Sequence, residues 1–335
     1  MDTREIIEQR RKAEEFLHET GMHADDVDFA SGLETFSRHI SAGLSGRPSS
    51  LAMIPTYIEA GGEVPHGTPV LVLDAGGTNF RTALLTFESD GSPRIDRFNK
   101  YPMPGSTGAV GKDEFFDLLA EKTAPLYGSA QSVGFCFSYP TEISPDRDGK
   151  LLHFSKEIKA PEVEGEYVGL KLREALARAG YSDQARMVVL NDTVATLLAA
   201  KAAGTGEHYE TYLGFILGTG LNCAYVEHNE RITKLRGHGH GAGSGAQIIN
   251  MESGGFDGIA GGSVDEEFDA GTKSPGRYRL EKMVSGAYLG PLCHTLLRRA
   301  SKEGLFSDAA SEHLLNLPQT DTVAMDGFLR GPSLR

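Results

Sequence analysis

The stretch Leu71–Phe87, LVLDAGGTNFRTALLTF, decides the fold. The apolar run Val70–Leu73 predicts a buried strand, and the alternation of apolar and polar residues over Thr82–Phe87 predicts a second strand. Glycines occupy the turn that separates them. The segment therefore predicts a strand, a glycine loop and a returning strand.

The same arrangement returns at residues 212–227, YLGFILGTGLNCAYVE. Here a strand ending at Leu217 and a strand beginning at Cys223 flank Gly218-Thr219-Gly220. The two glycine loops are 142 residues apart (218 − 76 = 142), which exceeds the period of any solenoid repeat. The duplication therefore predicts two related lobes whose hairpins face each other.

The rest of the chain alternates predicted strands and helices, which favours an α/β fold. An amphipathic helix is predicted at the N-terminus, a second helix over Leu33–Leu44, and a connector over residues 45–67, which are rich in Gly, Pro and Ser. Further predictions are a strand in 131–140, a helix from Val168 to Gly180, a strand at 187–190, a helix over 194–203 and one amphipathic helical stretch from Glu281 to Ala300.

Composition narrows the class of protein. The 335 residues exceed the size at which a single core stops growing, so two lobes with a cleft are favoured. The net charge of −13 argues against nucleic acid or an anionic membrane as the main partner. The three cysteines lack metal-ligand spacing, and no segment is apolar enough for a signal peptide or a membrane span, so the cytoplasm is the expected compartment.

The first glycine loop, Asp74-Ala75-Gly76-Gly77-Thr78-Asn79, allows two interpretations. Glycines in a tight turn let backbone N–H groups approach a phosphate, and Asp74 at the strand end suits Mg²⁺ held through water. The alternative is a plain β-hairpin whose turn needs glycine. A pair of such turns is what a two-sided phosphate clamp requires, so the second loop favours the phosphate interpretation.

Asp192 follows the predicted strand 187–190 and precedes a predicted helix. It is either the N-cap of that helix or a general base that accepts the proton of an attacking sugar hydroxyl. Lys156 follows the FSYP segment that contains Ser138, and it is either a solvated lysine or a cation that neutralises the transferring phosphoryl group. Amide and carboxylate groups suited to sugar hydroxyls are present at Asn191, Asn222, Glu252 and Glu281, although each one alone is typical of a surface residue.

The sequence does not match other common nucleotide-binding or metal-binding motifs. His238 and His240 in GHGHGAGSGA lack a third ligand at plausible spacing, so this loop is interpreted as a connector. The sequence has no Walker A pattern, and no G-x-G-x-x-G opens a helix after a strand.

Seven motifs together resemble the hexokinase and glucokinase family, in the order that the family has them. They are GLSGRPSSLAMIPTYI, LDAGGTNFR, FCFSYP, LNDTVATLLA, GTGLNCAYVE, INMESGGF and SPGRYRLEKMVSGAYLG. The resemblance extends from about Ile6 to Phe306. It implies the actin-like ATPase fold, a duplicated ribonuclease H-like α/β fold, with two lobes that close on the sugar across an interlobe cleft. The implied regions are 1–58, helices of the large lobe; 59–191, the small lobe with the first phosphate loop; and 192–335, the large lobe with the second.

The resemblance also implies roles for individual residues. Asp192 would be the general base, with Lys156 as a second catalytic residue. The sugar pocket would be lined by Ser138, Ser155, Lys156, Asn191, Asp192, Asn222, Glu252 and Glu281. The phosphates of Mg-ATP would be held by Asp74, Gly76, Gly77, Thr78, Asn79, Arg81, Gly218, Thr219 and Gly220, with Asp74 binding Mg²⁺ through water. The implied activity is ATP-dependent phosphorylation of a glucose-like hexose at its 6-position, as in glycolysis.

The sequence departs from the family pattern in three places. Phe154-Ser155-Lys156 replaces the common Trp-Thr-Lys, and Ser253 and Tyr278 replace a Trp and a polar residue near the sugar glutamates. Family members also continue past the position of Arg335 through an adenosine-binding loop, so adenine recognition is assigned to no residue here. The chain is accordingly expected to bind sugar better than nucleotide and to have low stability.

Two alternatives to a hexose kinase remain open from the sequence. A non-catalytic sugar-binding or regulatory protein, or an inactive fragment, would use the same pocket without turnover. A repressor-type sugar kinase would share the fold but normally carries a cysteine-rich zinc motif, which this sequence lacks.

Overall fold

The computed structural model describes residues 3–59, 61, 65–154, 158–181, 185–203, 209–236 and 244–331. The chain forms two compact units. Unit 1 comprises Met1–Ala52, Ile216–Asn222 and Glu252–Arg335, and unit 2 comprises Met53–Phe215 and Cys223–Met251. The predicted domain boundaries at 58/59 and 191/192 stay a prediction.

The strands are β1 Ile54–Glu59, β2 Val70–Gly76, β3 Asn79–Phe87, β4 Pro93–Pro102, β5 Ser132–Phe137, β6 Thr141–Ile143, β7 Gly149–Leu151, β8 Arg186–Leu190, β9 Leu213–Leu217, β10 Leu221–His228 and β11 Ala246–Asn250. The α-helices are α1 Thr3–Thr20, α2 Phe29–Leu44, α3 Lys112–Tyr127, α4 Val168–Arg178, α5 Asp192–Ala203, α6 Ser263–Ala270, α7 Arg279–Val284, α8 Leu289–Lys302, α9 Asp308–Asn316 and α10 Thr322–Arg330.

A five-stranded sheet with the order β4-β3-β2-β5-β8 lies in unit 2. β2, β5 and β8 run parallel, and β3 and β4 are antiparallel to their neighbours. Alternate residues of β2, namely Leu71, Leu73 and Ala75, are fully buried in a core that also contains residues of α3 and α4. The strand predicted from the apolar run Val70–Leu73 is therefore present, and every second residue of it faces the core.

The second sheet has the order β1-β11-β10-β9. Val194 and Leu197 of α5 pack against Ala224 of β10 and Ile248 of β11. The interpretation of residues 45–67 as a connector is wrong over Ile54–Glu59, because these residues pair with β11, about 190 positions later in the chain. The Gly, Pro and Ser residues around β1 indicate a loop in the sequence, because the strand is stabilised by pairing with the distant β11.

The glycine-loop strands are longer than predicted, because β2 and β3 reach the turn itself at Gly76 and Asn79. The predicted N-terminal helix, the helix beginning at Val168 and the helix after Asn191 are all present as α1, α4 and α5. The expected second helix is α2, which begins at Phe29, four residues before the predicted start.

Helices α1, α2 and α6 to α10 belong to unit 1. The single amphipathic stretch predicted from Glu281 to Ala300 is wrong, because the chain forms α7, then a turn over residues 285–288, and then α8. Gly286 and Ala287 donate their N–H groups to Gly218 and Thr219 rather than to a helical turn. Tertiary hydrogen bonds therefore interrupt a pattern that remains helical in sequence.

Candidate active site

The carboxyl ends of three parallel strands bring polar residues of unit 2 to one sheet edge. In the ladder, Asp74 pairs with Cys136 and Ala75 with Phe137, while Cys136 pairs with Leu190. The next residues along these strands are Gly76, Ser138 and Asn191. Ligands of open α/β sheets bind outside the carboxyl ends of parallel strands, so this edge is the candidate site of unit 2.

The first glycine loop is a tight turn between β2 and β3. Gly77 has φ +54°, in the left-handed region that favours glycine. The turn is braced from two sides, because the Tyr139 hydroxyl donates to the Gly77 carbonyl at 2.8 Å and the Met103 N–H donates to the Thr78 carbonyl at 2.9 Å. Asn79 donates its amide to the Thr78 hydroxyl at 3.3 Å.

Asp74 lies beside this turn, and its carboxylate pairs with an arginine. Arg81, its cross-strand partner, donates to one oxygen at 2.5 Å. A Cβ on Gly76 would lie 3.4 Å from the other oxygen and 3.7 Å from the Ser138 hydroxyl. The half-buried carboxylate, the arginine and the serine thus converge on the glycine loop. A carboxylate at such a loop is a hard oxygen donor that fits Mg²⁺ held jointly with phosphates.

Asn191 and Asp192 divide two tasks at the start of α5. The Asn191 side-chain oxygen accepts the Thr193 N–H at 2.9 Å, which is the capping bond of the helix. Asp192 is the first residue of α5, and its carboxylate accepts a long hydrogen bond from the Thr193 hydroxyl at 3.4 Å. The cap interpretation therefore belongs to Asn191, which leaves the Asp192 carboxylate available to a ligand.

The Cys136 thiol of β5 is affected by both carboxylates of the unit 2 group, Asp74 and Asp192. Burial, together with the negative charges of Asp74 and Asp192, raises the pKa of the Cys136 thiol. Both carboxylates thus act on one group of β5, as expected for side chains at the same sheet edge. Cys136, Cys223 and Cys293 are all free thiols.

The second glycine loop lies in unit 1 and is held by the backbone after α7. Gly286 donates to the Gly218 carbonyl at 2.7 Å, and Ala287 donates to the Thr219 carbonyl at 3.0 Å. Within the loop, the Gly218 N–H donates to the Gly220 carbonyl at 2.9 Å. The loop therefore has a fixed backbone before any ligand binds, which is the preorganisation that phosphate recognition needs.

Glu281 of α7 reaches the residue after this loop. Its carboxylate accepts the Leu221 N–H at 2.9 Å. A Cβ on Gly220 would lie 2.8 Å from that carboxylate, and a Cβ on Gly254 would lie 2.8 Å from the Leu221 carbonyl and 3.1 Å from Glu281. Because Gly220 and Gly254 have no side chain, the Glu281 carboxylate has room beside the loop.

Asn222 and Glu252 are the remaining predicted site residues of unit 1. The Asn222 side-chain oxygen accepts the Ser253 N–H at 3.2 Å, so it connects β10 to the turn after β11. Glu252 itself has φ +56°, a strained conformation for a residue with a Cβ. Non-glycine residues held in this region are concentrated at functional sites.

The structure thus collects the predicted residues in two groups. The unit 2 group is Asp74, Gly76, Gly77, Thr78, Asn79, Arg81, Ser138, Asn191 and Asp192, and the unit 1 group is Gly218, Thr219, Gly220, Asn222, Glu252 and Glu281. Ser155 and Lys156, like His238 and His240, lie outside the described residues. Among the residues that are described, no group of three or more His, Cys, Asp or Glu side chains could hold a metal ion.

Sequence reasoning missed several residues that support these groups. Tyr139 appears only as part of a motif, and Gly254, Gly286 and Ala287 were given no role. Gly254, Gly286 and Ala287 act sterically or through the backbone, and the Tyr139 hydroxyl acts on a backbone carbonyl that is distant in sequence, so no motif signals these roles. The dipeptide Ser285-Gly286, which is typical of turns, is the one signal in its segment that indicates the support of the second loop.

The described part of the chain contains no helix that is long and apolar enough to cross a membrane.

The duplicated glycine hairpin and the sheet edge define the actin-like ATPase class of fold. The structure is similar to that of a hexokinase from Schistosoma mansoni complexed with glucose, with a TM-score of 0.69 and 26% identity over 93% of this chain and 70% of that one. A second hexokinase crystal structure, at 24% identity, has a TM-score of 0.71 and supports the fold alone. The predicted fold class is therefore confirmed.

Two family profiles, both described as Hexokinase, match residues 12–202 and 212–328. The chain belongs to the hexokinase family, as its motifs predicted. It is 30% identical to human hexokinase-2 over 94% of its own length and 35% of the relative's. It is 32% identical to the glucokinase of Aspergillus niger over 87% of its own length and 65% of the relative's. The chain thus spans between a third and two thirds of these curated relatives.

Proposed function

We propose that this chain transfers the γ-phosphoryl group of ATP to a glucose-like hexose and forms the hexose 6-phosphate. The observation that carries the proposal is the division of tasks at α5, where Asn191 caps the helix and the adjacent Asp192 carboxylate is left for a ligand. Family membership supports the same reaction, because relatives are named hexokinase and glucokinase.

In the proposed reaction, Asp192 is the general base. The sugar hydroxyl oxygen forms a bond to the γ-phosphorus while the bond from that phosphorus to the bridging oxygen of ADP breaks. The hydroxyl proton passes to the Asp192 carboxylate, so atoms and charge balance with ADP as the leaving group. Ser138 and Asn191 are the proposed sugar contacts from the same sheet edge.

The two glycine loops are the proposed phosphate sites. Backbone N–H groups of residues 76–79 and of Thr219 and Gly220 suit phosphate oxygens, while the Gly218 N–H holds the second loop internally. Arg81 adds a cation beside Asp74. Asp74 would hold Mg²⁺ through water, and the bound ion would supply positive charge to the phosphates. The Glu252 and Glu281 carboxylates are proposed to accept hydrogen bonds from sugar hydroxyls, and the Asn222 amide to donate one. Ser155 and Lys156 are added from the family pattern.

The test is the Asp192→Asn variant in a coupled assay with glucose and Mg-ATP. Asn preserves the shape but cannot accept a proton, so turnover should fall at least about 10²-fold. Calorimetric glucose affinity should stay within about tenfold, because only one of several sugar contacts changes. Turnover near that of the unchanged chain would remove Asp192 as the base.

The matched control is Asp28→Ala, which removes a carboxylate that caps α2 by accepting the Ser31 N–H at 2.9 Å. This change should cost about 0.5–2 kcal/mol of stability and leave turnover per folded molecule unchanged. If the unchanged chain binds glucose but shows no turnover with Mg-ATP, the chain is a sugar-binding protein without catalysis and the proposal fails.

A further inference from the structure

Lys282 of α7 carries a buried ammonium group one residue after Glu281. Lys282 is 3% exposed, and its Nζ donates to Asp269 Oδ1 at 2.6 Å, to the Thr272 hydroxyl at 2.8 Å and to the Ser274 carbonyl at 2.6 Å. An ammonium has three N–H donors, and all three are used. Such complete pairing is needed because an unpaired buried charge is strongly destabilising.

These bonds tie three consecutive segments together. Asp269 lies in the last turn of α6, Thr272 and Ser274 lie in the connecting loop, and Lys282 lies in α7. The second oxygen of Asp269 accepts the Gly276 N–H at 2.7 Å, which adds a further loop contact to the same carboxylate. The Lys282–Asp269 ion pair therefore connects α7 to α6 and to the loop between them. Arg279, at the start of α7, adds a second connection to α6 through its ion pair with Glu266 and lies 3.6 Å from Asp269.

Helix α7 is only six residues long, so it cannot hold its own position. The residue next to Lys282 is Glu281, which contacts Leu221 after the second glycine loop. The turn that follows α7 supplies the Gly286 and Ala287 N–H groups that hold Gly218 and Thr219. A displacement of α7 would therefore move a proposed sugar ligand and a proposed phosphate loop together.

We infer that Lys282 is a positioning residue, which sets the placement of Glu281 and of residues 218–220 through its ion pair with Asp269. The inference rests on the proposed function for the roles of Glu281 and the loop. Lys282 itself touches no reacting group. Residues that orient a ligand in this way typically change affinity or activity about 10–100-fold when they are replaced.

The first experiment compares Lys282→Met with the unchanged chain by calorimetric titration with glucose and by steady-state kinetics. Methionine keeps the aliphatic stem and removes the three donors. Glucose affinity should fall about tenfold or more and the KM for ATP should rise, measured at a temperature where circular dichroism shows the variant folded. Unchanged affinity and KM in the folded variant would overturn the inference.

Two controls separate positioning from loss of stability. Leu44→Ala truncates a buried residue of α2 in the same unit, so it should lower the melting temperature and leave glucose affinity unchanged. Arg299→Met removes a cation of α8 that pairs with Glu267 and Glu303 at the surface, and it should change neither property. An equal loss of glucose affinity in Leu44→Ala would show that Lys282 acts only through stability.

Chemical rescue provides a readout that a purely structural role would not give. Lys282 lines a cavity of about 490 Å³ together with Thr272 and Ser274, so a small amine can reach the space left by Lys282→Ala. Propylammonium should restore part of the glucose affinity of Lys282→Ala. It should leave that of Asp269→Asn unrestored, because Lys282 still fills the space there and the missing group is a carboxylate. Failure of the amine to restore any affinity would count against the inference.

The outcomes distinguish this inference from the proposed function. If the unchanged chain neither binds glucose nor turns over, the proposed function has failed before Lys282 is tested. If the unchanged chain is active and the folded Lys282→Met variant is equally active, only the positioning role has failed.

Discussion

At the residue scale, two adjacent polar residues show why position in the sequence alone does not assign a role. Asn191 and Asp192 both follow a strand and precede a helix, and either could cap that helix. The structure gives the capping bond to Asn191. The choice depends on where the helix begins, and a boundary uncertainty of a single residue exchanges the two roles.

Gly254 contributes to the site because it has no side chain. In Gly254→Ala the new Cβ would meet the Leu221 carbonyl and Glu281, both too close for ordinary contact. We expect the free energy of unfolding to fall by about 1–3 kcal/mol, the usual cost of overpacking, and glucose affinity to fall because Glu281 is displaced. Urea denaturation and calorimetry measure the two effects.

Gly271→Ala is the matched control for this prediction. Its Cβ would lie 3.5 Å from the nearest atom, an ordinary contact, and its φ of −83° suits any residue. It should therefore change neither stability nor glucose affinity appreciably. Equal behaviour of the two variants would contradict the steric argument.

At the scale of elements, the outer strands of the two larger sheets differ in how they meet solvent. β4, at the edge of the five-stranded sheet, carries Arg94, Asp96, Arg97 and Lys100. β9, at the edge of the four-stranded sheet, has the sequence LGFIL and exposes 60% of Leu213, 52% of Phe215 and 56% of Leu217. Charges protect an edge strand from pairing with another chain, and β9 has none.

We therefore predict that the 335-residue chain associates through β9 as its concentration rises. Leu213→Lys should weaken this association, because a charge would be buried in any strand pairing. Ile95→Lys, on the exposed face of β4, is the matched control and should have no effect. Sedimentation velocity over a range of concentrations measures the result, and a monomer at every concentration would contradict the prediction.

The elements that sequence predicted best are those whose pattern is local. Alternation and glycine determine the first hairpin, and a helical period determines α4. The local pattern does not predict β1 or the turn over 285–288, because both depend on partners far away in the chain. β1 pairs with β11, and the turn is hydrogen-bonded to Gly218. The same holds for the candidate site, where side-chain chemistry identified Asp74 and Asp192 but could not reveal the contacts of Gly254 or Lys282.

At the scale of the whole molecule, one half-buried lysine makes stability depend on alkaline pH. The Lys234 Nζ donates to the Met53 carbonyl at 2.6 Å, and burial lowers the pKa of this ammonium to about 8. Between about pH 8 and the unfolded value of 10.5, the unfolded chain binds a proton that the folded chain has lost. This group's contribution to the free energy of unfolding therefore rises with pH in that window and is constant below it.

The prediction concerns the difference in the free energy of unfolding between the unchanged chain and Lys234→Met. Taking this difference removes the contributions of the other titrating groups, which the two chains share. The stability of the unchanged chain relative to the variant should increase from about pH 7.5 to about pH 9.5, as measured by urea denaturation. Lys112→Met, which removes a partly exposed lysine paired with Glu166 at 2.9 Å, controls for loss of a charge. A difference that stays flat with pH for Lys234→Met would show that its ammonium titrates normally.

The turn over residues 285–288 also limits how the chain length can vary during evolution. One residue inserted between Glu281 and Ala287 would rotate everything beyond it by about 100° if the extra residue were helical, and the N–H groups of Gly286 and Ala287 would then point away from Gly218 and Thr219. Substitutions here can be tolerated one at a time, whereas an insertion or a deletion would release the glycine loop in a single step. The spacing from Glu281 to Ala287 is thus a length constraint that an alignment of relatives should respect, even where the residue types themselves differ.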